Sequence, residues 1–259
     1  MAVGTTGVGV VSVAGLTIVI PTKGLVGMLQ RCLEHLGRAL TAPGSPFEPC
    51  VVVVDNATEI PILQEDLPAQ SVHLIRFDIP KSFAMANNTA IAGHPNAFYL
   101  LLNNDVLLAE SAIVDMWRLL EQTPNAGLCG TRLVFPEGTI QHAGVVFGPE
   151  ATGPYHVSRG KPSALIQRRD AEFQAVTGAC MLIRREVWDA LGGLSGDFAF
   201  GLEDIDFCLR ARQKGWRVGC SSRVDSLHFE SMTPGRVRLD IESRRVFMNK
   251  WRGRYAIDG

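Results

Sequence analysis

An uncharged apolar run, Phe98-Tyr99-Leu100-Leu101-Leu102, stops abruptly at Asn103-Asn104-Asp105. Such a run reads as a strand buried on both faces, which requires a sheet covered by helices on each side. In open sheets of that kind ligands bind outside the carboxyl ends of the strands. The polar tip therefore stands where chemistry is done. Asp105 supplies a hard oxygen donor of the sort a divalent metal takes. Asn and Asp are also ordinary turn formers, so the rest of the chain must decide.

The surrounding sequence has the matching alternation. Leu16 to Ile20 reads as a strand stopped by Pro21. Leu25, Leu29, Cys32, Leu33, Leu36 and Leu40 then recur at helical spacing. Cys50 to Val54 and Val72 to Phe77 read as strands, Phe83 to Ala92 as a helix, and Ser111 to Gln122 as a helix capped near Ser111. Gly127 to Gly130 reads as a short fifth strand. Strands alternating with helices predict a mostly parallel central sheet flanked by helices, an α/β, Rossmann-like domain. After Thr131 the pattern breaks into Gly, Pro and short β-prone pieces, and 150–170 reads as a mobile loop. Order returns with Ala175 to Ile183, helices from Arg185 and from Asp204 to Lys214, a strand Trp216 to Cys220, and a basic closing helix. With no internal repeat and no clean linker, one domain over 16–259 is expected, after a flexible leader over 1–15. Its nucleotide half covers about 16–130, its acceptor half about 131–235, and the basic helix about 236–252.

Composition narrows the function. With 46% hydrophobic residues in 259, the chain can build a large core. A net charge of -1 argues against a nucleic-acid partner. The leader lacks the basic start of a signal peptide, and no stretch is long and apolar enough to span a bilayer. The expected location is cytoplasmic. Cys32, Cys50, Cys129, Cys180, Cys208 and Cys220 form no C-x-x-C pair, so a zinc site is unsupported and a reducing compartment fits.

Three strand tips carry polar residues: Thr22-Lys23, Asp55-Asn56 and Asn103 to Asp105. A parallel sheet gathers such tips at one edge. Neither a G-x-x-x-x-G-K-[ST] loop nor a dinucleotide fingerprint is present, so a diphosphate bound here would need a metal to neutralise it. The second acidic cluster is Glu203-Asp204-Ile205-Asp206, at the start of a helix whose apolar face holds Ile205, Cys208 and Leu209. Asp is a favoured N-cap. Three carboxylates in four residues exceed what a cap needs, and their crowding raises at least one pKa toward the range of a general base.

These pieces occur in a particular order. They are Thr17-Ile18-Val19-Ile20-Pro21-Thr22, Val53-Val54-Asp55-Asn56, Phe83-Ala84-Met85-Ala86-Asn87-Asn88, Leu102-Asn103-Asn104-Asp105, Gly138-Thr139-Ile140-Gln141-His142-Ala143-Gly144, Thr177-Gly178-Ala179-Cys180-Met181-Leu182-Ile183-Arg184-Arg185 and Glu203-Asp204-Ile205-Asp206-Phe207-Cys208-Leu209-Arg210. In that order they resemble the inverting nucleotide-sugar glycosyltransferases of family 2, which have the GT-A fold, and most closely the rhamnosyltransferase-like branch. The resemblance runs from about Leu16 to Ser231.

The resemblance implies a donor linked to dTDP, UDP or GDP, and a saccharide, lipid-linked or small-molecule acceptor. Thr22 and Asp55 would hold the donor's base, with Pro21, Asn56 and Asn88 in the same site. Asn103, Asn104 and Asp105 occupy the family's D-x-D region. Because Asn103 replaces the first acidic residue, Asp105 and the late His228 would hold Mg2+ or Mn2+. Gly178 and Ala179 would line the sugar pocket. Asp204 would be the catalytic base, with Glu203 beside it contacting the acceptor or orienting the base, and Asp206 would be structural. Lys81 stands where the family has other residues, either to meet a donor phosphate or as a solvated lysine. His142 reads as a structural hydrogen bond inside a hairpin. The basic closing helix reads as a solvated face, with peripheral contact at an anionic inner membrane surface as the other possibility. Two rival functions are a binding module that has lost catalysis and a sugar nucleotidyltransferase. The retained acidic residues oppose the first, and the short Pro21-Thr22-Lys23-Gly24 loop opposes the second.

Overall fold

A strand rich in β-branched residues and buried on both faces can sit only in the middle of a sheet. In the computed structural model, which describes residues 13–68, 72–150, 152–230 and 237–259, that is where the first strand lies. It is β1 (Ala14–Thr22), followed by α1 (Val26–Leu40), β2 (Phe47–Asn56), β3 (Val72–Phe77), α2 (Phe83–Gly93) and β4 (Phe98–Leu102). The chain continues with β5 (Val106–Leu107), α3 (Ala112–Gln122), β6 (Ala126–Val134), β7 (Ile140–His142), β8 (Val145–Phe147), β9 (Pro154–His156) and β10 (Ala171–Phe173). It closes with β11 (Cys180–Arg184), α4 (Arg185–Leu191), α5 (Glu203–Gln213), β12 (Arg217–His228) and α6 (Val237–Trp251).

The main sheet has the order β10-β12-β6-β11-β4-β1-β2-β3, with β5 beside β12 and β7 beside β6; β8 and β9 form a separate hairpin. The four strands β3-β2-β1-β4 are parallel. β11 enters antiparallel between β4 and β6, β12 is parallel to β6, and β10 runs against β12. Six of the eight strands on this path therefore point one way. Alternate residues along each strand feed two cores, as the pleat requires. Ile18, Leu100 and Leu182 pack with α1 and α3 on one face. Val19, Leu101 and Met181 pack with α2, α4 and α5 on the other.

Helix ends follow local chemistry. Ser82 caps α2 by accepting a hydrogen bond from the Met85 N–H at 3.2 Å. Gly192 ends α4 in the left-handed region. The closing helix α6 is anchored by Asp206, a fully buried carboxylate. Asp206 accepts from Trp251 Nε1 at 2.8 Å and from Arg210 Nε at 2.8 Å, and pairs with Lys250 at 2.7 Å. A buried charge left by its partners costs about 3–5 kcal/mol in general, so this node fixes α6 on α5. Asp206 is thus the structural residue that its motif implied.

Several boundaries differ from the sequence reading. Pro21 does not stop β1. Pairing with β4 ends at Val19, and the strand runs on to Thr22 against β2 alone, where a residue without an N–H is tolerated. β1 also takes in Ala14 and Gly15 from the expected leader; residues 1–12 lie outside the described residues. β6 extends through Arg132, so it crosses the boundary drawn at 130. The expected loop over 150–170 contains β9 and a 3-10 turn at Ser163–Leu165. β12 runs eight residues beyond Cys220, and β5 went unread. The helix expected from 236 begins at Val237; Arg236 lies outside the described residues. No described helix is long and apolar enough to cross a membrane.

Candidate active site

Strand direction alone brings the polar tips together. β1, β2 and β4 are parallel, so Thr22, Asp55-Asn56 and Asn103 to Asp105 leave the sheet at one edge. β11 runs against β4 with Cys180 opposite Leu102, which puts Gly178 and Ala179, just before it, at the same edge. β12 runs with β6 and ends at His228, paired with Val106, the residue after Asp105.

The donor-side residues form a braced rim. Thr22 is buried; its hydroxyl donates to Gly24 O at 2.8 Å and accepts from Asn104 Nδ2 at 2.7 Å. Asn104 therefore ties the β4 tip to the β1 tip, directly after Pro21. Asp55 is fully buried. Its Oδ1 accepts from Thr58 N–H at 2.9 Å and Thr58 Oγ1 at 2.7 Å, and its Oδ2 from Ile62 N–H at 3.1 Å and from Arg76. Burial pushes this carboxyl up, but the bonds from Thr58, Ile62 and Arg76 outweigh it and hold it below the usual range. A carboxylate offers about four lone-pair positions, and all four are used here. Asp55 thus shapes the rim and presents Arg76, its register neighbour on β3. Arg76 was not singled out from the sequence. The available signal was an arginine near the end of a strand paired with an acidic tip.

Asn56 and the backbone of Lys81 exchange two hydrogen bonds, Nδ2 to Lys81 O at 2.9 Å and Lys81 N–H to Oδ1 at 2.8 Å. They bring Lys81 to the β2 tip. Asn88, placed with the donor by its motif, instead exchanges bonds with the Leu194 backbone at 2.9 and 3.0 Å. That is a brace between α2 and the turn after α4.

Asp105 and His228 meet. His228 Nε2 lies 3.2 Å from Asp105 Oδ1, both side chains are buried, and Phe229 N–H donates to Asp105 O at 3.1 Å. Ligands at about 2.1 Å from one ion, set at right angles, stand about 3 Å apart, so this pair has the spacing of two ligands on one ion. A carboxylate with an imidazole suits Mn2+ at least as well as Mg2+. Among the described residues no three His, Cys, Asp or Glu side chains converge to hold an ion by themselves. An ion here would take its remaining ligands from phosphate and water, the usual arrangement when metals bind with nucleotides.

The acidic helix start is joined to the same edge. Asn103 N–H donates to Ala179 O at 2.9 Å, and Gly178 N–H donates to Asp204 Oδ2 at 2.7 Å. A Cβ on Gly178 would come within 3.1 Å of Asp204 Cβ and 3.3 Å of the Phe83 ring, so a side chain here would press directly on Asp204. α5 is preceded by two positive-φ residues, Gly201 (φ 75) and Leu202 (φ 71). Leucine rarely adopts that conformation, and strain of this kind collects at functional sites. The turn delivers Glu203 and Asp204 together. Asp204 also accepts from Ile205 N–H at 2.8 Å, and the Thr177 hydroxyl donates to the same carboxylate. Burial lifts Asp204 above the ordinary carboxylate range, against the pull of its N–H donors. Burial first, and then the neighbouring Asp204 charge, pushes Glu203 up to about 8. Glu203 Oε2 is buried without a hydrogen-bond partner among the described residues.

His142, expected in a hairpin hydrogen bond, makes one to His156 across β7 and β9. Lys250 of the basic closing helix pairs with Asp206, and Arg252, just after the helix, pairs with Glu150.

A family model described as glycosyltransferase like family 2 matches residues 14–223. Protein y4gI of Sinorhizobium fredii is 32% identical over 231 residues, covering 85% of this chain and 25% of its own length. The O-antigen biosynthesis protein RfbC of Myxococcus xanthus is 30% identical over 224 residues, covering 83% of this chain and 17% of its own length. The chain thus spans a quarter or less of these two relatives. Among solved structures, the mannosyltransferase PcManGT from Pyrobaculum calidifontis, in complex with GDP-Man and Mn2+, superposes with a TM-score of 0.63 at 15% identity, covering 95% of this chain and 66% of that one. The likeness is one of fold.

Proposed function

The chain belongs to the glycosyltransferase-like family 2, and from that membership we propose that it moves a sugar from a nucleoside-diphosphate sugar to an acceptor hydroxyl, inverting the anomeric centre. The observation that carries this reading is the junction of two acidic sites at one sheet edge: Asp105 against His228 at 3.2 Å, and Asp204 bound through Gly178 to the loop that meets Asn103.

The rim at Thr22, Asn104 and Arg76 receives the nucleoside. Lys81, held at the β2 tip, faces the diphosphate. Asp105 and His228 would hold a Mg2+ or Mn2+ ion, which would supply positive charge to neutralise the departing diphosphate. Gly178 and Ala179 line the space for the sugar. Asp204 takes the acceptor's hydroxyl proton as the oxygen attacks the anomeric carbon from the face opposite the leaving group. Its two N–H donors aim the carboxylate, and its raised pKa makes it a stronger base than a solvated aspartate. Holding both substrates in line supplies much of the remaining rate. Glu203 is held neutral beside it by burial and by the Asp204 charge, which keeps a second anion away from the attacking oxygen. The name of the Myxococcus xanthus relative and the mannosyltransferase's Mn2+ complex support a sugar acceptor in surface-polysaccharide synthesis and a metal-assisted donor site.

A thermal-shift screen tests the donor side, because a ligand bound only by the folded protein raises its apparent stability by about 2.7 kcal/mol at a hundred times its Kd. UDP, dTDP and GDP are screened with and without Mn2+. The expected result is a rise with at least one of them, larger when Mn2+ is present. No shift with any of the three, at millimolar ligand and metal, would count against the nucleotide site.

A further inference from the structure

The Gln141-His142 pair plays no part in the transfer described above. His142 is fully buried at the end of β7, and its Nδ1 lies 2.8 Å from Nδ1 of His156 on β9. Two facing Nδ1 atoms can bond only if one carries a proton and the other is bare. Burial first, then the charges of His156, His228 and Arg159, holds His142 far below an ordinary histidine. Burial and Arg159 bring His156 down to about 4. The pair is therefore neutral near pH 7.

This pair is built onto the strand that ends at His228. β7 pairs with β6, Leu133 opposite His142, and β6 pairs with β12, Leu133 opposite Ser226, two residues before His228. Arg159, just beyond β9, donates to Gln141 O at 3.3 Å and to Glu230 at 2.6 Å, two residues after His228, and stacks over Phe135 at 4.9 Å. Both sides of His228 are thus tied to the hairpin. Within this assembly two ring nitrogens are buried with no hydrogen-bond partner among the described residues: His142 Nε2 and His228 Nδ1. A histidine that gives Nε2 to a metal carries its proton on Nδ1, and that proton is almost always donated to a partner that fixes the ring.

We propose that His142 and His156 are positioning residues for the metal-site histidine, with one buried water joining His228 Nδ1 to His142 Nε2. The inference rests on the reading of Asp105 and His228 as metal ligands. The protons then order in one direction. His228 Nδ1–H donates to the water, the water donates to the bare His142 Nε2, and His142 Nδ1–H donates to His156 Nδ1. Buried waters occupy sites where they find two or more polar partners, and these two nitrogens supply them. The role of His156 is to select the His142 tautomer that leaves Nε2 able to accept.

The test is a Mn2+ titration without nucleotide, reading free Mn2+ by electron paramagnetic resonance. His142→Ala should weaken binding about 10–100-fold, the usual effect of removing an outer partner of a metal-bound histidine. His142→Gln, which restores an acceptor, should recover most of that loss. His228→Ala is the control. If it leaves Mn2+ affinity unchanged, the metal reading itself fails. If His228→Ala weakens binding and folded His142→Ala does not, this proposal alone fails. Nitrogen-15 NMR of the unmodified protein's histidine rings, with diamagnetic Mg2+ bound, gives an answer that needs no variant. His142 should carry its proton on Nδ1, and a proton on Nε2 instead would overturn the assignment.

Discussion

Replacing Asp204 by asparagine is expected to lower turnover by about 10²–10⁴-fold, the range that a positioned general base contributes, while donor binding stays near its normal value. Asparagine keeps an acceptor oxygen for one of the two N–H groups, Gly178 or Ile205, that Asp204 now receives. It loses the lone pair that takes the proton. Because burial lifts Asp204 above the ordinary carboxylate range, the acid side of the turnover profile should lie above the pH at which a solvated aspartate titrates. The sign follows from the role: the base works only deprotonated, so activity rises with pH through its pKa and falls as pH drops below it. The variant should lack this limb. Wild-type turnover in Asp204→Asn, measured by nucleoside diphosphate release at saturating donor, would remove Asp204 from the role of base.

Removing the metal is expected to cost about a thousandfold or more, since stabilising a leaving diphosphate is worth several kcal/mol and each 1.4 kcal/mol is tenfold in rate. EDTA should abolish transfer and excess Mn2+ should restore it. Asp105→Ala should reproduce the loss without rescue by the ion, because His228 alone offers one ligand. The partners around Asp105 make the substitution specific. The contact from Phe229 N–H is to the Asp105 backbone oxygen and survives it. Full transfer in chelator, or full activity in Asp105→Ala, would dismiss the ion from the mechanism.

The sheet edge was legible in the sequence because burial writes a strong local signal there. Runs such as Phe98 to Leu102 and Val51 to Val54 are apolar on both faces and stop at polar tips, so β1, β2 and β4 could be placed from the residue pattern, with both ends matched for β4 alone. Register did the rest: Asp105, His228, Gly178 and Asp204 are distant in the chain, and their order within a family motif set, rather than any spacing, pointed to a shared site. β6 and β12 were read short for the opposite reason. Arg132 lies fully buried in β6, where it donates to Ser163 and pairs with Asp225. Those partners are remote in sequence, so a buried arginine looked like the end of a strand. Ser221, Ser222 and Ser226 disguised β12 in the same way. Arg76 was missed because its meaning lies in the strand beside it. Asn88 was assigned to the donor because its motif named it, whereas its amide serves the Leu194 backbone. His156 carries no local signal at all; only the β7–β9 packing shows that it completes His142.

The central claim is that one sheet edge holds a metal between Asp105 and His228 within reach of the base on α5. Anomalous diffraction at the manganese edge, from crystals grown with Mn2+ and the nucleoside diphosphate that gives the largest thermal shift, addresses it directly. The account predicts a single strong peak bonded to Asp105 Oδ1 and His228 Nε2, with the diphosphate on its open side and facing Asp204. A nucleotide bound at this edge with the peak elsewhere, or with Asp204 on the far side of the sheet from the diphosphate, would contradict it.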